Sequence, residues 1–171
     1  KGIGMVHQHF MLLPSLTVAE NVVLGIEPMK NGFFDFKKAV EMTREVAEKY
    51  KFDIDPLMKV ADLSVGQMQK VEIMKVLIKG AKIIIMDEPT APLTVKETAV
   101  FFKIIQKLKQ DHVTIIFISH RLEEVFEICD RVSVFCDGKY IVSKDVQDIT
   151  KKQLITYMVG RELSDDYPEP K

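Results

Sequence analysis

The 171-residue sequence has little of what marks a membrane-spanning, nucleic-acid-binding or disulfide-stabilised chain. Its two cysteines, Cys129 and Cys136, match no metal or redox spacing, so core packing is expected for both. No apolar run is long enough to span a bilayer, and no signal peptide is expected. A formal net charge of −1 gives no electrostatic case for nucleic acid or a membrane surface. These absences favour one globular domain of a reducing compartment, which would reach a membrane only through a partner.

The sequence also lacks the phosphate-binding motif G-x-x-x-x-G-K-[ST]. Its one Gly-Lys pair, Gly138-Lys139, is followed by Tyr140, and Ser133 stands where the first glycine would be. The chain begins on Lys1, without an initiator methionine. We therefore expect these residues to be part of a larger protein.

One stretch organises the chain, the apolar residues 83–86 followed by acids. Three of the four apolar residues are β-branched, which predicts a short buried strand. Asp87 and Glu88 end it, and Pro89 stops it because proline has no N–H for a ladder. Adjacent strand residues point to opposite sides, so Asp87 is suited to hold Mg²⁺ and Glu88 to orient or deprotonate a water. The alternative is a strand that ends in solvated acids.

Capping boxes predict three helix starts, at Thr17–Glu20, Ser64–Gln67 and Thr94–Glu97. The second helix should run to about Lys79, and its N-terminus presents N–H groups and a positive dipole end to a phosphate. Gly66 would let a phosphate approach the backbone closely. The alternative is a plain N-cap.

The other predicted elements frame these motifs. A helix is expected from Phe36 to Tyr50, and a buried strand over 113–118 leads to Ser119-His120. A hairpin over 132–142 should turn at Asp137-Gly138, and Asn31-Gly32 predicts a tight turn. Phe33, Phe34 and Phe36 lie beside that turn, where we expect packing rather than docking to a partner. A strand-end histidine such as His120 is either a satisfied core residue or a functional one.

Taken together, the ordered set of motifs resembles the ATPase of ABC transporters. The set consists of Gln8, Leu63-Ser64-Val65-Gly66-Gln67, Asp87-Glu88, Ala91-Pro92-Leu93-Thr94 and Ser119-His120, which look like the Q-loop, signature, Walker B, D-loop and H-loop. The similarity is greatest to the first ATPase half of ribose, galactose and nucleoside import ATPases, which carry two halves on one polypeptide. Val65, Pro92 and Thr94 depart from the usual motif residues.

The resemblance implies an α/β fold, a P-loop NTPase-like ABC core with an inserted α-helical subdomain. The core would be incomplete, because the Walker A segment would precede Lys1. Within a single partial nucleotide-binding domain, 10–62 would form the helical subdomain, 63–160 part of the catalytic core and 161–171 a linker. The sheet would be mostly parallel, with helices on both faces.

The resemblance also implies the roles of the site residues, with ATP and Mg²⁺ as cofactors. Gln8 and Asp87 would bind Mg²⁺, Gln8 and His120 would sense the γ-phosphate, and Glu88 would act on the attacking water. Glu88 and His120 are the expected catalytic residues. The expected nucleotide-binding residues are Gln8, Ser64, Gly66, Gln67 and Asp87, with Ser64, Gly66 and Gln67 acting on ATP held by the opposite subunit.

The function implied for the intact protein is ATP hydrolysis coupled to import of a simple sugar or nucleoside. Its expected partners are membrane permease subunits, a second ATPase half and, indirectly, a solute-binding protein, at the cytoplasmic face of the membrane. No nucleic-acid partner is expected, and this chain alone is expected to be inactive. Two alternatives stay open: a soluble ABC ATPase of translation or DNA repair, and a regulatory half that does not hydrolyse ATP. The sequence does not identify the solute.

Overall fold

The computed structural model describes residues 2–159, so the predicted linker over 161–171 lies outside the described residues. The chain divides into two compact units, residues 1–119 and the residues from His120 onward. The site predicted from the two carboxylates and the signature motif lies in the first unit.

The first unit mixes strands and helices, as an α/β fold does. Its elements are β1 (Ile3–Val6), α1 (Val18–Val22), β2 (Met29–Lys30), β3 (Phe33–Phe34), α2 (Phe36–Tyr50), a 3₁₀ turn (Val60–Asp62), α3 (Val65–Ile78), β4 (Ile83–Asp87), α4 (Val95–Gln110) and β5 (Thr114–Ile118). All three predicted capping boxes are present, at the starts of α1, α3 and α4.

A parallel sheet in the order β1-β4-β5 forms the centre of this unit. Its two crossovers run through α3 and α4, and right-handed crossovers that advance in one direction put both helices on the same face. Close packing holds β1 on α3: a Cβ added to Gly4 would lie 2.7 Å from the Cβ of Val76. On this covered face Val6, Ile84 and Met86 are fully buried.

The opposite face of the sheet is largely uncovered within the described residues. Ile3 is 62% exposed, Ile116 49% and Ile118 46%. The expectation of helices on both faces is therefore wrong for the part of the chain described. The strand predicted over 113–118 is present as β5, but the expectation that it is buried is wrong. Alternation explains the result, because the residues of β5 on the α4 side are half-buried while the others face outward.

Residues 10–62 hold the helices α1 and α2 together with a small hairpin that the sequence did not predict. Its strands, β2 and β3, are antiparallel, and Asn31 and Gly32 both take positive φ at the turn, as a two-residue hairpin loop requires. α2 has the predicted bounds. Phe33 is 79% exposed, so the expectation of packing is wrong for this residue.

The second unit comprises α5, a β-hairpin and α6. Its elements are α5 (Leu122–Ile128), β6 (Arg131–Cys136), β7 (Lys139–Asp145), a 3₁₀ turn (Val146–Asp148) and α6 (Lys151–Val159). The predicted hairpin turn at Asp137-Gly138 is confirmed by positive φ at both residues. The core of this unit contains Val134, Ile149 and Leu154.

Two expectations from composition can be compared with the described residues. Cys129 and Cys136 are not joined in a disulfide, and both are half-buried rather than packed in a core. Across 2–159 the helices are too short or too polar to cross a membrane.

Candidate functional site

The carboxyl ends of β4 and β5 meet at one edge of the sheet, as the parallel pairing requires. Asp87, the last residue of β4, lies in register with Ile118, the last residue of β5. The N–H of Glu88 donates to the carbonyl of Ile118 at 3.0 Å, which extends the pairing one residue beyond the strand. Asp87 and Glu88 are both half-buried, so water and a ligand can reach them.

Glu88 has a left-handed backbone, with φ of 43°. The alternation argument is therefore wrong for Glu88, because this residue has left the strand and its direction is set by the turn. Non-glycine residues at positive φ are strained and cluster at functional sites, where the surroundings hold them in place. The N–H of Ala91 donates to the carbonyl of Glu88 at 3.1 Å, so the turn is closed on its other side as well.

Gln8 meets Glu88 although 80 positions separate them in the sequence. The Nε2 of Gln8 lies 3.5 Å from Oε2 of Glu88, at the long limit of a hydrogen bond. Gln8 comes two residues after β1, which pairs with β4 along its whole length, so adjacent parallel strands deliver both residues to the same edge. We call Gln8, Asp87 and Glu88 the strand-end group.

The strand-end group fits a magnesium ion that arrives with a nucleotide. Asp87 offers carboxylate oxygens and Gln8 an amide oxygen, and Mg²⁺ prefers such donors, in sites completed by water and substrate phosphates. Residues 2–159 contain no group of three or more His, Cys, Asp or Glu able to hold a metal by themselves. Two oxygen donors suit an ion whose remaining ligands are phosphate and water, and do not make a resident metal site.

A second group of predicted residues lies at the start of α3. The N–H of Ser64 donates to Oε1 of Gln67 at 2.9 Å, and the N–H of Gln67 donates to the hydroxyl of Ser64 at 3.3 Å. This reciprocal pair is the predicted capping box. Gly66 lies between its two members, and we call Ser64, Gly66 and Gln67 the helix-start group.

Glu97, in the first turn of α4, approaches the helix-start group. A Cβ added to Gly66 would lie 2.7 Å from Oε1 of Glu97. The pKa of Glu97 is held below its ordinary value of 4.5, first by the N–H and hydroxyl of Thr94, and also by the N–H of Gly66 and the charge of Lys70. The expectation of free N–H groups at this helix end is therefore wrong for Gly66 and Gln67, whose amides have internal acceptors.

The loop between Glu88 and α4 departs from the resemblance at two positions, and the structure explains one of them. Thr94 is the N-cap of α4: its N–H and hydroxyl donate to Oε2 of Glu97 at 2.9 and 2.8 Å. Thr and Asp are both good N-caps, so Thr94 provides the same helix cap that an Asp at this position would provide. Pro92 is exposed within the turn. His120 follows β5, opens the second unit and is exposed.

Two sets of residues near the site were missed by sequence reasoning. Glu97 lies close to Gly66, although the two residues belong to helix starts that are far apart in the sequence. The only sign of a role for Glu97 in the sequence was its position in the third capping box. Glu72 and Lys75 lie on α3 in the otherwise apolar run Val71–Ile78, and a charged pair inside such a run signals a buried polar contact.

Comparisons of this sequence with known proteins point to one family. The sequence profile of the ABC transporter family matches residues 1–91. The galactose/methyl galactoside import ATP-binding protein MglA 2 of Photobacterium profundum is 48% identical over 168 residues, which cover 98% of this chain and 33% of that protein. The ribose import ATP-binding protein RbsA of Clostridium tetani is 46% identical over 176 residues, covering 99% of this chain and 34% of that protein.

Solved structures agree with the sequence comparisons. The ADP conformation of MJ1267, an ATP-binding cassette of an ABC transporter, aligns with a TM-score of 0.76 at 26% identity, over 94% of this chain and 69% of that one. CbiO1 of Clostridium perfringens, part of an ABC transporter complex, aligns with a TM-score of 0.72 at 25% identity, over 86% and 58%.

The chain belongs to the ABC transporter family, since the family profile matches more than half of its residues. The α/β fold of an ABC ATPase, expected from the sequence, is confirmed. The chain spans about a third of the length of the curated relatives it matches.

Proposed function

We propose that this chain is part of the ATP-hydrolysing subunit of an ABC importer for a simple sugar or a nucleoside. The observation that carries the proposal is the strand-end group, in which the Gln8 amide lies 3.5 Å from the Glu88 carboxylate, one residue beyond Asp87. An amide beside two carboxylates at one sheet edge is suited to Mg²⁺ and to a water that attacks a phosphate.

Each residue has a role in this proposal. Asp87 and Gln8 hold Mg²⁺, and Glu88 orients the attacking water and accepts its proton. Gln8 and His120 respond to the γ-phosphate. Phosphoryl transfer needs positioning and charge stabilisation more than covalent chemistry, so oxygen donors, a carboxylate and a histidine are the expected parts.

The helix-start group completes the proposal from the opposite subunit. Ser64, Gly66 and Gln67 bind the γ-phosphate of ATP held across a dimer interface, where the positive end of α3 and the Ser64 hydroxyl face the anion. Because the N–H of Gly66 already meets the Glu97 carboxylate, the phosphate competes with that internal acceptor.

The names of the relatives support the solute class. Relatives that import galactose, methyl galactosides or ribose match nearly all of this chain. The proposed partners are integral membrane permease subunits, a second ATPase half and, indirectly, a solute-binding protein. The subunit would then lie at the cytoplasmic face of the membrane.

The test is sugar-dependent ATP hydrolysis by the full-length protein, reconstituted with its permease subunits in liposomes. Galactose, ribose and a nucleoside are each supplied with the solute-binding protein. We expect one of these solutes to stimulate hydrolysis, and Glu88→Gln to lower the stimulated rate by about 100-fold or more, as loss of a general base does. Glu41→Gln, on the exposed surface of α2, is the matched control and should keep the rate.

Two results would contradict the proposal. Hydrolysis stimulated by nucleic acid rather than by a solute would favour a soluble ABC ATPase. An unchanged rate in Glu88→Gln would favour a regulatory half, whose partner half performs all the hydrolysis.

A further inference from the structure

Two side chains of α3 hold the backbone of the loop that carries Gln8. The N–H of Met11 donates to Oε1 of Glu72 at 2.6 Å, and Nζ of Lys75 donates to the carbonyl of Met11 at 2.6 Å. Glu72 and Lys75 also pair with each other at 3.4 Å. Both backbone groups of Met11, three residues after Gln8, are therefore bonded to one turn of one helix.

A third side chain repeats this arrangement two residues further on. The N–H of Leu13 donates to Oδ1 of Asn21 at 2.7 Å, and Nδ2 of Asn21 donates to the carbonyls of Leu13 and Thr17 at 3.0 Å each. Asn21 is completely buried in α1. The loop thus gains from side chains the pairing that a neighbouring strand would give it.

The burial of the Glu72–Lys75 pair sets it apart from an ordinary helix ion pair. The side chains of Glu72 and Lys75 are 3% and 14% exposed, whereas Lys38 and Glu41, with the same spacing on α2, are 48% and 58% exposed. A buried ion pair is costly to desolvate, and apolar side chains of similar size often stabilise a fold as well or better. The pair is therefore better explained by the Met11 backbone that it holds than by a contribution to the stability of the fold.

The two anchors leave Gln8 little freedom. Upstream, Val6 ends β1, which pairs with β4 and so with the strand that leads to Glu88. Downstream, Met11 is fixed to α3, the helix that begins at the helix-start group. Only residues 7–10 lie between the anchors, so where Gln8 stands relative to Glu88 depends on where α3 holds Met11.

We propose that Glu72 and Lys75, supported by Asn21, are positioning residues that hold Gln8 against Glu88 for ATP hydrolysis. The proposal rests on the proposed function. Neither Glu72 nor Lys75 acts on the nucleotide; both act through the loop, and α3 joins the two groups of the site.

The first test measures amide exchange at Met11 in the full-length protein. Glu72→Leu removes the acceptor of the Met11 N–H, and we expect its exchange to speed up by about tenfold, the effect of losing one hydrogen bond of ordinary strength. Glu72→Gln keeps an acceptor oxygen and should preserve most of the protection. Equal exchange in all three proteins would overturn the anchoring.

The second test measures ATP hydrolysis by the same protein with its permease subunits. Lys75→Met should lower kcat by about tenfold and leave KM for ATP within about twofold, because Gln8 is displaced while most nucleotide contacts remain. Lys75→Arg keeps a donor for the Met11 carbonyl and should retain most of the wild-type kcat. Lys38→Met removes the matched exposed pair on α2 and should change neither constant.

A double-mutant cycle separates positioning from a general structural effect. In a Gln8→Ala background, Lys75→Met should cost little further activity, because the residue through which it acts is already gone. Additive losses, or a wild-type kcat in Lys75→Met alone, would overturn the positioning role. A wild-type protein that hydrolyses no ATP would overturn the proposed function, while the exchange test would still decide whether the loop is anchored.

Discussion

The strand-end group and the helix-start group are held in opposite ways. In the helix-start group, Ser64 and Gln67 satisfy each other within four residues, by bonds of 2.9 and 3.3 Å. In the strand-end group, Gln8 and Glu88 meet at 3.5 Å across 80 positions of sequence, and Glu88 has a strained backbone. The first group is fixed by local structure, and the second depends on the packing of β1, β4 and α3.

This difference decides what disturbs each group. A change that moves β1 should affect Gln8 and Glu88 but leave the start of α3 intact. A change in the capping box should shorten α3 but leave the sheet edge in place. Three changes test this separation, beginning with the one expected to cost the most stability.

Gly4→Ala should disturb the strand-end group most strongly. The added methyl would lie 2.7 Å from the Cβ of Val76, so β1 must move away from α3, at a cost of about 1–3 kcal/mol for overpacking. Denaturant unfolding of the full-length protein measures the loss. Adding Val76→Ala should recover part of it, and strictly additive losses would contradict the contact on which β1 rests.

Ser64→Ala should affect the helix-start group alone. Loss of the N-cap hydroxyl leaves the N–H of Gln67 without its acceptor and should cost about 1 kcal/mol of unfolding free energy. Ser64→Thr keeps an N-cap hydroxyl and serves as the control, with a change of a few tenths of a kcal/mol. Equal stability of the Ala and Thr variants would contradict the importance of the cap.

The smallest effect expected is a dependence of stability on pH through Glu97. Its pKa lies below 4.5 because Thr94 donates to the ionised carboxylate, so its contribution is present above pH 4.5 and is lost as pH falls through the lowered pKa. Glu97→Gln should keep the capping box, because Gln67 forms the equivalent box at the start of α3. The same change should flatten the dependence of stability on pH in the acid range. Gln67→Glu should add such a dependence at α3. Thermal midpoints at a series of pH values measure both, and unchanged slopes would contradict the account.

Sequence reasoning succeeded where the signal was local. The capping boxes, the bounds of α2 and the hairpin turn at Asp137-Gly138 each depend on a few neighbouring residues, and all are confirmed. The motif order also predicted the family and the fold. The strand ending in Asp87 was recognised from its β-branched run, within one residue of its end.

The errors arose where distant parts of the chain decide the environment. Ile116 and Ile118 look like core residues, but the face on which they lie is largely uncovered in the described chain. The direction of Glu88 could not follow from strand alternation, because a turn closed by Ile118 and Ala91 sets it. Glu72 and Lys75 hold a loop more than 60 positions away, a contact that no spacing in the sequence encodes.

The role proposed for Glu88 lies in the chemical step of ATP hydrolysis and not in the binding of ATP. The most direct measurement compares ATP affinity and ATP turnover in the full-length protein with Glu88 and with Glu88→Gln. We expect affinity to stay within about threefold while turnover falls by about 100-fold or more, because a general base contributes to the transition state alone. Loss of binding together with turnover, or retention of both, would contradict the claim.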